Sequence, residues 1–367
     1  MEPFKNIFNS QYIDKLSEQL SQNYSSFKTE EFKRLVPSLK KLELKDRVRL
    51  ISHHLQINLP SDYKKAITIL IKSLHSPKNP NGIEGFTTWP LLQFIEDYGL
   101  DDFETSFKAM FEMTQRFSAE FAIRPFIKKD PDYCFSIFNQ WVNHENEHIR
   151  RLCSEGTRPN LPWGMKVESI HNNLKRGIKL ISKLKDDPSL YVRKSVANHL
   201  NDISRIDEEL FIKTLHTWNT KKIKDERKWI LRHATRTLLK KGHPEALAFH
   251  GYNPKLNIEY KAISFKPKSI KEGDKVKLNF KTKIQSPNEQ EKVIMDYIIH
   301  YLKKDGSHSK KAFRFKDGEI ETNAWNQLSK EIHFKAVTTR KHYPGKHFIS
   351  ILINGIESKK LAFTLED

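Results

Sequence analysis

Apolar residues recur at helical spacing through the first two thirds of the chain, as in YIDKLSEQL (12–20), DRVRLISHHL (46–55) and DYKKAITILIKSL (62–74). NLPSD, SPKNPNG and KKDPD break the pattern with turn-forming residues. After GYNPKLN (251–257) the period drops to two: KVKLNFKTKI (275–284), VIMDYIIHYL (293–302), IHFKAV (332–337) and HFISILING (347–355) predict strands. Lys303-Lys304-Asp305-Gly306 carries the Asp-Gly hairpin signal. Six or seven short strands predict an immunoglobulin-like β-sandwich, here without a Cys–Trp–Cys core. The expected architecture is multidomain, α followed by all-β: a helical domain over 1–250 and a sandwich over 259–367.

The helical part repeats itself faintly. DDPSLYVRKSVANHLNDI (186–203) has related helices 43 residues earlier (ENEHIRRLCSEGTR) and 39 later (RKWILRHATRTLLKKG), which aligns Ile149-Arg150, Val192-Arg193 and Leu231-Arg232. A period near 40 with paired helices predicts a HEAT-like α-solenoid. Lys228, Arg232, Arg236 and Lys240, four apart, predict one positive stripe on a helix whose core face carries Trp229, Ala234 and Leu238. A charge stripe is commonly a solvated face, but three such helices at repeat spacing point to a basic groove.

Charge sharpens this picture. The 367 residues hold 64 Lys+Arg against 45 Asp+Glu, a formal net charge of +19. The excess is shared, +10 over 1–250 and +9 over 251–367. Such a field attracts nucleic acid, although lysine-rich spelling of surface positions gives the same composition. No window approaches a membrane span, and MEPFKNIFNSQYIDKL lacks the form of a signal peptide, so a cytoplasmic, nucleoid-associated protein of bacterial type is expected. Cys134 and Cys153 make neither a disulfide framework nor a zinc site, and the 16 His lie without ligand spacing; no metal and no cofactor is expected.

Two segments depart from generic solenoid. In TQRFSAEFAIRPF (114–126), Glu120 sits among Phe117, Ala119, Phe121 and Ala122, with Arg116 and Arg124 at i−4 and i+4 as candidate partners. In HIRRLCSEGTRPNLPWG (148–164), Glu155 precedes a glycine and a rigid loop that brings Arg158 and Trp163 together. The two carboxylates either bridge arginines of neighbouring helices or perform chemistry. Trp163 either contacts a ligand or plugs the core.

RFSAEFAIRPF and HIRRLCSEGTRPNLPW closely resemble the AlkC branch of the AlkC/AlkD family of DNA alkylation repair glycosylases, as do GFTTWPLLQFIEDYGL, DPSLYVRKSVANHLNDI and KWILRHATRTLLKKGHPEAL. TTRKHYPGKHFISILING (338–355) resembles the immunoglobulin-like domain of one AlkC subgroup. Ile149 and Cys153 stand where the pattern leads one to expect Val and Ala. The resemblance implies excision of cationic N-alkylated bases, notably 3-methyladenine, from double-stranded DNA in base excision repair, without metal, cofactor or base flipping. It further implies a catalytic carboxylate pair, Glu120 and Glu155, with Asp202 a weaker candidate. Trp163 would meet the deoxyribose or lesion, Arg158 would hold the loop or a phosphate, and Arg151, Arg193, Arg232 and Arg236 would clamp phosphates. The β domain, with KKDGSHSKK (303–311) and TTRKHYPGK (338–346), would be a second DNA clamp. A monomer is expected. The competing functions are a non-catalytic HEAT-repeat binder of damaged or structured DNA, a glycosylase for bulkier or N7 adducts, and a protein scaffold.

Overall fold

A computed structural model describes residues 2–335 and 341–366. The chain divides into two compact units, Met1–Ala234 and Thr235–Asp367. The first unit is helical, and the second opens with two short helices (Arg236–Lys241 and Pro244–Phe249) before turning to strands. Among the described residues no helix is long and apolar enough to cross a membrane.

Helices start where short polar side chains can satisfy free N–H groups. Asn146 accepts from the His148 amide at 2.8 Å and starts the Glu147–Glu155 helix; Ser189 accepts from Val192 at 3.4 Å and starts Leu190–Ile206. These two pack together, and Leu190–Ile206 in turn packs on Asp225–Ala234. The aligned anchors Ile149, Val192 and Leu231 are all buried, in keeping with the repeat. The arginines that follow the first two turn back on the preceding loop. One Arg150 nitrogen donates to the carbonyls of His144 and Glu145, six and five residues earlier, and one Arg193 nitrogen donates to those of Asp187 and Pro188 at the same offsets. Arg150 also makes a two-point ion pair with Asp187 at 2.7 and 3.0 Å. In these two helices the repeat arginine thus staples the turn that begins the helix.

The strands of the second unit are β1 (Asn257–Lys266), β2 (Ser269–Ile270), β3 (Lys275–Gln285), β4 (Gln290–Leu302), β5 (His308–Glu321), β6 (Asn326–His333), β7 (Gly345–Ile353), β8 (Ile356–Glu357) and β9 (Leu361–Leu365). β1-β3-β6 form one sheet and β2-β9-β7-β4-β5 the other, with β8 paired to β7. The core between them uses Phe265, Phe280, Met295, Ile349 and Phe363. This is the expected immunoglobulin-like sandwich, seven main strands plus the two-residue β2 and β8. The hairpin joins β4 to β5 with Leu302 opposite His308, and Gly306 takes the left-handed conformation its turn needs (φ 78°). The strand expected over 332–337 ends at His333, its last two residues lying outside the described ones, as do 338–340 of the expected clamp loop.

Candidate functional site

Glu120 lies in the turn between the helices Phe103–Thr114 and Ile123–Lys129, not on a helix. The expected i−4 and i+4 partners therefore do not apply. Arg116 donates instead to Glu112 and to the carbonyl of His75, while buried Arg124 donates to the carbonyls of Gly156, Arg158 and Met165. Glu120 pairs with Arg151, 31 residues away, at 2.8 Å through Oε2. No hydrogen bond to its Oε1 occurs among the described residues.

From that pair a line of alternating charge runs inward. Arg151 lies 3.7 Å from Glu155; Glu155 accepts from Arg158 at 2.7 Å; Arg158 makes a two-point pair with Asp202 at 2.9 and 3.3 Å. Side-chain exposure falls along it, from 17 % at Glu120 to 6 % at Glu155 and 4 % at Asp202. Ser195 donates to the second oxygen of Glu155 at 2.6 Å and also meets Ser154. Burial alone would raise the Glu155 pKa, but Arg151, Arg158 and the Ser195 hydrogen bond together hold it below the usual glutamate range. Asp202 is pushed above its ordinary range by burial, against the pull of Arg158. Both arginines are held more firmly protonated by these carboxylates than burial would allow.

The same network seats the loop carrying Trp163. The Asn160 amide approaches Asp202 at 3.4 Å, His171 bonds the Pro159 carbonyl at 2.8 Å, and Lys45 donates to the Trp163 carbonyl at 2.6 Å. Trp163 adopts a left-handed backbone (φ 65°) and is 66 % exposed, so it is not a core plug. Arg158 is buried and holds the loop from within. Arg151 is shared between two carboxylates and stacks at 4.5 Å over the Tyr191 ring.

The basic stripe is not carried by one uninterrupted helix. Thr235 separates Asp225–Ala234 from Arg236–Lys241, and the two compact units divide there. Arg232 is exposed, Arg236 half-buried and Trp229, expected in the core, only half-buried against His233. Arg193 lies 5.9 Å over Trp229. Tyr191, Ser195 and Lys45 escaped the sequence reading. Tyr191 and Ser195 share a helix face at i, i+4, the one signal that pointed to them.

The Ig-like C-terminal domain family of the uncharacterised protein YhaZ matches residues 259–367. The uncharacterised protein YhaZ of Bacillus subtilis (strain 168) is 37 % identical over 369 residues, covering 99 % of each chain. A solved structure, Pseudomonas fluorescens alkylpurine DNA glycosylase AlkC bound to DNA containing an abasic site analogue, superposes over 100 % of both chains at 33 % identity with a TM-score of 0.90.

Proposed function

Because this chain belongs to the AlkC branch of the AlkC/AlkD glycosylases, in a form that bears an immunoglobulin-like domain, we propose that it is a DNA glycosylase that releases cationic N-alkylated bases such as 3-methyladenine. The observation that carries this reading is the half-open carboxylate of Glu120, fixed by Arg151 at the accessible end of a buried charge network.

Alkylation at N3 leaves a purine positively charged, so the bond from its ring nitrogen to the sugar carbon is already weakened. When the bond breaks, its electron pair goes to the base, which departs neutral and needs no general acid. The sugar is left with oxocarbenium character, and water adds its oxygen there while losing a proton to bulk solvent. Preorganised negative charge at Glu120 would stabilise that cation and orient the water, as carboxylates do in glycoside hydrolysis. Glu155 and Asp202 act through Arg151 and Arg158, which aligns Glu120 and the Trp163 loop. Trp163 would lie against the deoxyribose or lesion. Arg193, Arg232 and Arg236 are assigned to the DNA backbone, and the β domain to a second grip on the duplex.

Methylated duplex DNA incubated with the full chain should yield free alkylated bases by mass spectrometry and leave abasic sites in the duplex. Salt-sensitive binding without base release would mark a non-catalytic binder and overturn the proposal.

A further inference from the structure

Trp163, placed above against the deoxyribose or lesion, also walls a cavity of about 210 Å³ whose other lining residues that reaction does not use. Its aromatic lining is Trp89, Phe121 and Trp163; its polar lining is Gln93 and Glu96 from the Trp89–Tyr98 helix and Lys45 and Arg49 from the Leu44–Asn58 helix. Trp89 and Phe121 stack with centroids 5.4 Å apart, and Lys45 lies 5.8 Å over the Phe121 ring. Because the Lys45 ammonium also holds the Trp163 carbonyl, it ties two of the aromatic walls together. Two of its walls belong to the segments that carry the site: Phe121 follows Glu120 in the chain, and Trp163 stands on the loop that Arg158 holds.

We propose that this cavity takes the neutral purine base after its bond to the sugar is cut, an inference that rests on the glycosylase reading above. Charge selects among the candidate occupants. A still-cationic lesion would meet two cations, Lys45 and Arg49, against one carboxylate, and a phosphate, which those cations attract, makes no use of the aromatic walls. A neutral heteroaromatic ring is opposed by neither set and gains from both. Its face stacks on exposed Trp163 and half-buried Phe121, its ring nitrogens accept from the cations, and its exocyclic amine donates to Gln93 and Glu96. Burial and neighbouring Asp97 push the Glu96 carboxyl up to about 7, against the pull of Arg49 and Lys45, so it can offer a base edge either a donor or an acceptor. Asp97 itself is engaged by Ser52 at 2.7 Å and Gln93 at 2.9 Å. The cavity would thus distinguish product from substrate by the charge lost in the reaction, and draw the base away from the sugar.

The test is a calorimetric titration of the full chain with free adenine, free 3-methyladenine and inorganic phosphate. The two bases should saturate a single site and phosphate should not. Glu96→Ala should weaken base binding at least tenfold, while Glu96→Gln, which keeps a donor and an acceptor, restores most of it. Saturation-transfer NMR on the unaltered protein, from aromatic side chains to base protons, tests the same contact without any variant. Absent saturable base binding, or Glu96→Ala binding as tightly as the unaltered chain, would overturn the inference. Base release from methylated DNA, assayed on the same preparation, separates the two proposals: release without free-base binding rejects the cavity alone, and free-base binding without release rejects the glycosylase reading and with it the cavity's role as a product site.

Discussion

At the residue scale the carboxylates divide by what each one touches. Glu120→Gln removes charge where Oε1 is open, and an electrostatic contribution of about 3–4 kcal/mol corresponds to a loss of order 10²–10³ in base release. Its melting temperature should change little, because the pair it breaks is partly accessible. Glu155→Gln should lose activity and also cost stability, up to about 3–5 kcal/mol, since it leaves Arg158 and Arg151 facing a neutral amide inside the protein. Comparing melting and base release for the two variants checks this division. The pH dependence has a definite sign. Glu155 titrates below the ordinary glutamate value in the folded protein, so its stabilisation is complete above that value and fades as pH falls through the folded one. The stability gap between the unaltered chain and Glu155→Gln, followed by thermal melting from pH 7 down to pH 3, should therefore narrow toward the acid end. Glu120 and Glu155 stood out in the sequence because a carboxylate among Phe and Ala, or before a Gly-Thr-Arg-Pro loop, is out of place. Glu155 has its arginines at local spacing, i−4 and i+3, but the partner of Glu120 did not stand out: Arg151 meets Glu120 across 31 positions, as Arg158 meets Asp202 across 44, and no local spacing encodes such contacts.

At the element scale the sequence reading succeeded where one period persisted and failed where it broke. The anchors Ile149, Val192 and Leu231 followed from a repeat near 40 because burial imposes the same apolar position on each stacked helix. The segment around Glu120 failed because Phe117, Phe121 and Ala122 mimic a helical face, whereas the Thr114 hydroxyl accepts from the Ala119 amide across the turn. Helix packing also gives a prediction. Gly177 lies inside the Leu174–Ile181 helix, where alanine would ordinarily help by about 0.5–1 kcal/mol. A Cβ there would sit 2.9 Å from Nε2 of fully buried His199, whose other ring nitrogen bonds the Ser154 carbonyl at 3.1 Å. Gly177→Ala should thus destabilise, by about 1–3 kcal/mol as core overpacking does, and reduce base release through the Ser154–Ser195–Glu155 contacts. Chemical denaturation alongside the release assay checks it.

At the scale of the whole molecule the formal charge of +19 sets the terms of binding. Affinity for undamaged duplex should fall steeply with salt as condensed counterions are released. Replacing Arg232 and Arg236 with Ala should reduce the slope of log K against log salt by about 1.8, at roughly 0.9 per lost phosphate contact, and weaken damaged and undamaged DNA alike. Fluorescence anisotropy across a salt series measures it. An unchanged slope would remove both residues from the binding face.

Trp163 shows what the protein forgoes. A side chain held at φ 65° is a conformation glycine adopts without penalty and other residues adopt at about 1–2 kcal/mol. Trp163→Gly should consequently be more stable than Trp163→Ala by about 1 kcal/mol, although the two lack the same indole. Selection for durability alone would have settled on glycine at this position. An aromatic ring there, two-thirds in solvent and on a backbone that resists it, costs stability that only the proposed contact with deoxyribose or lesion would repay.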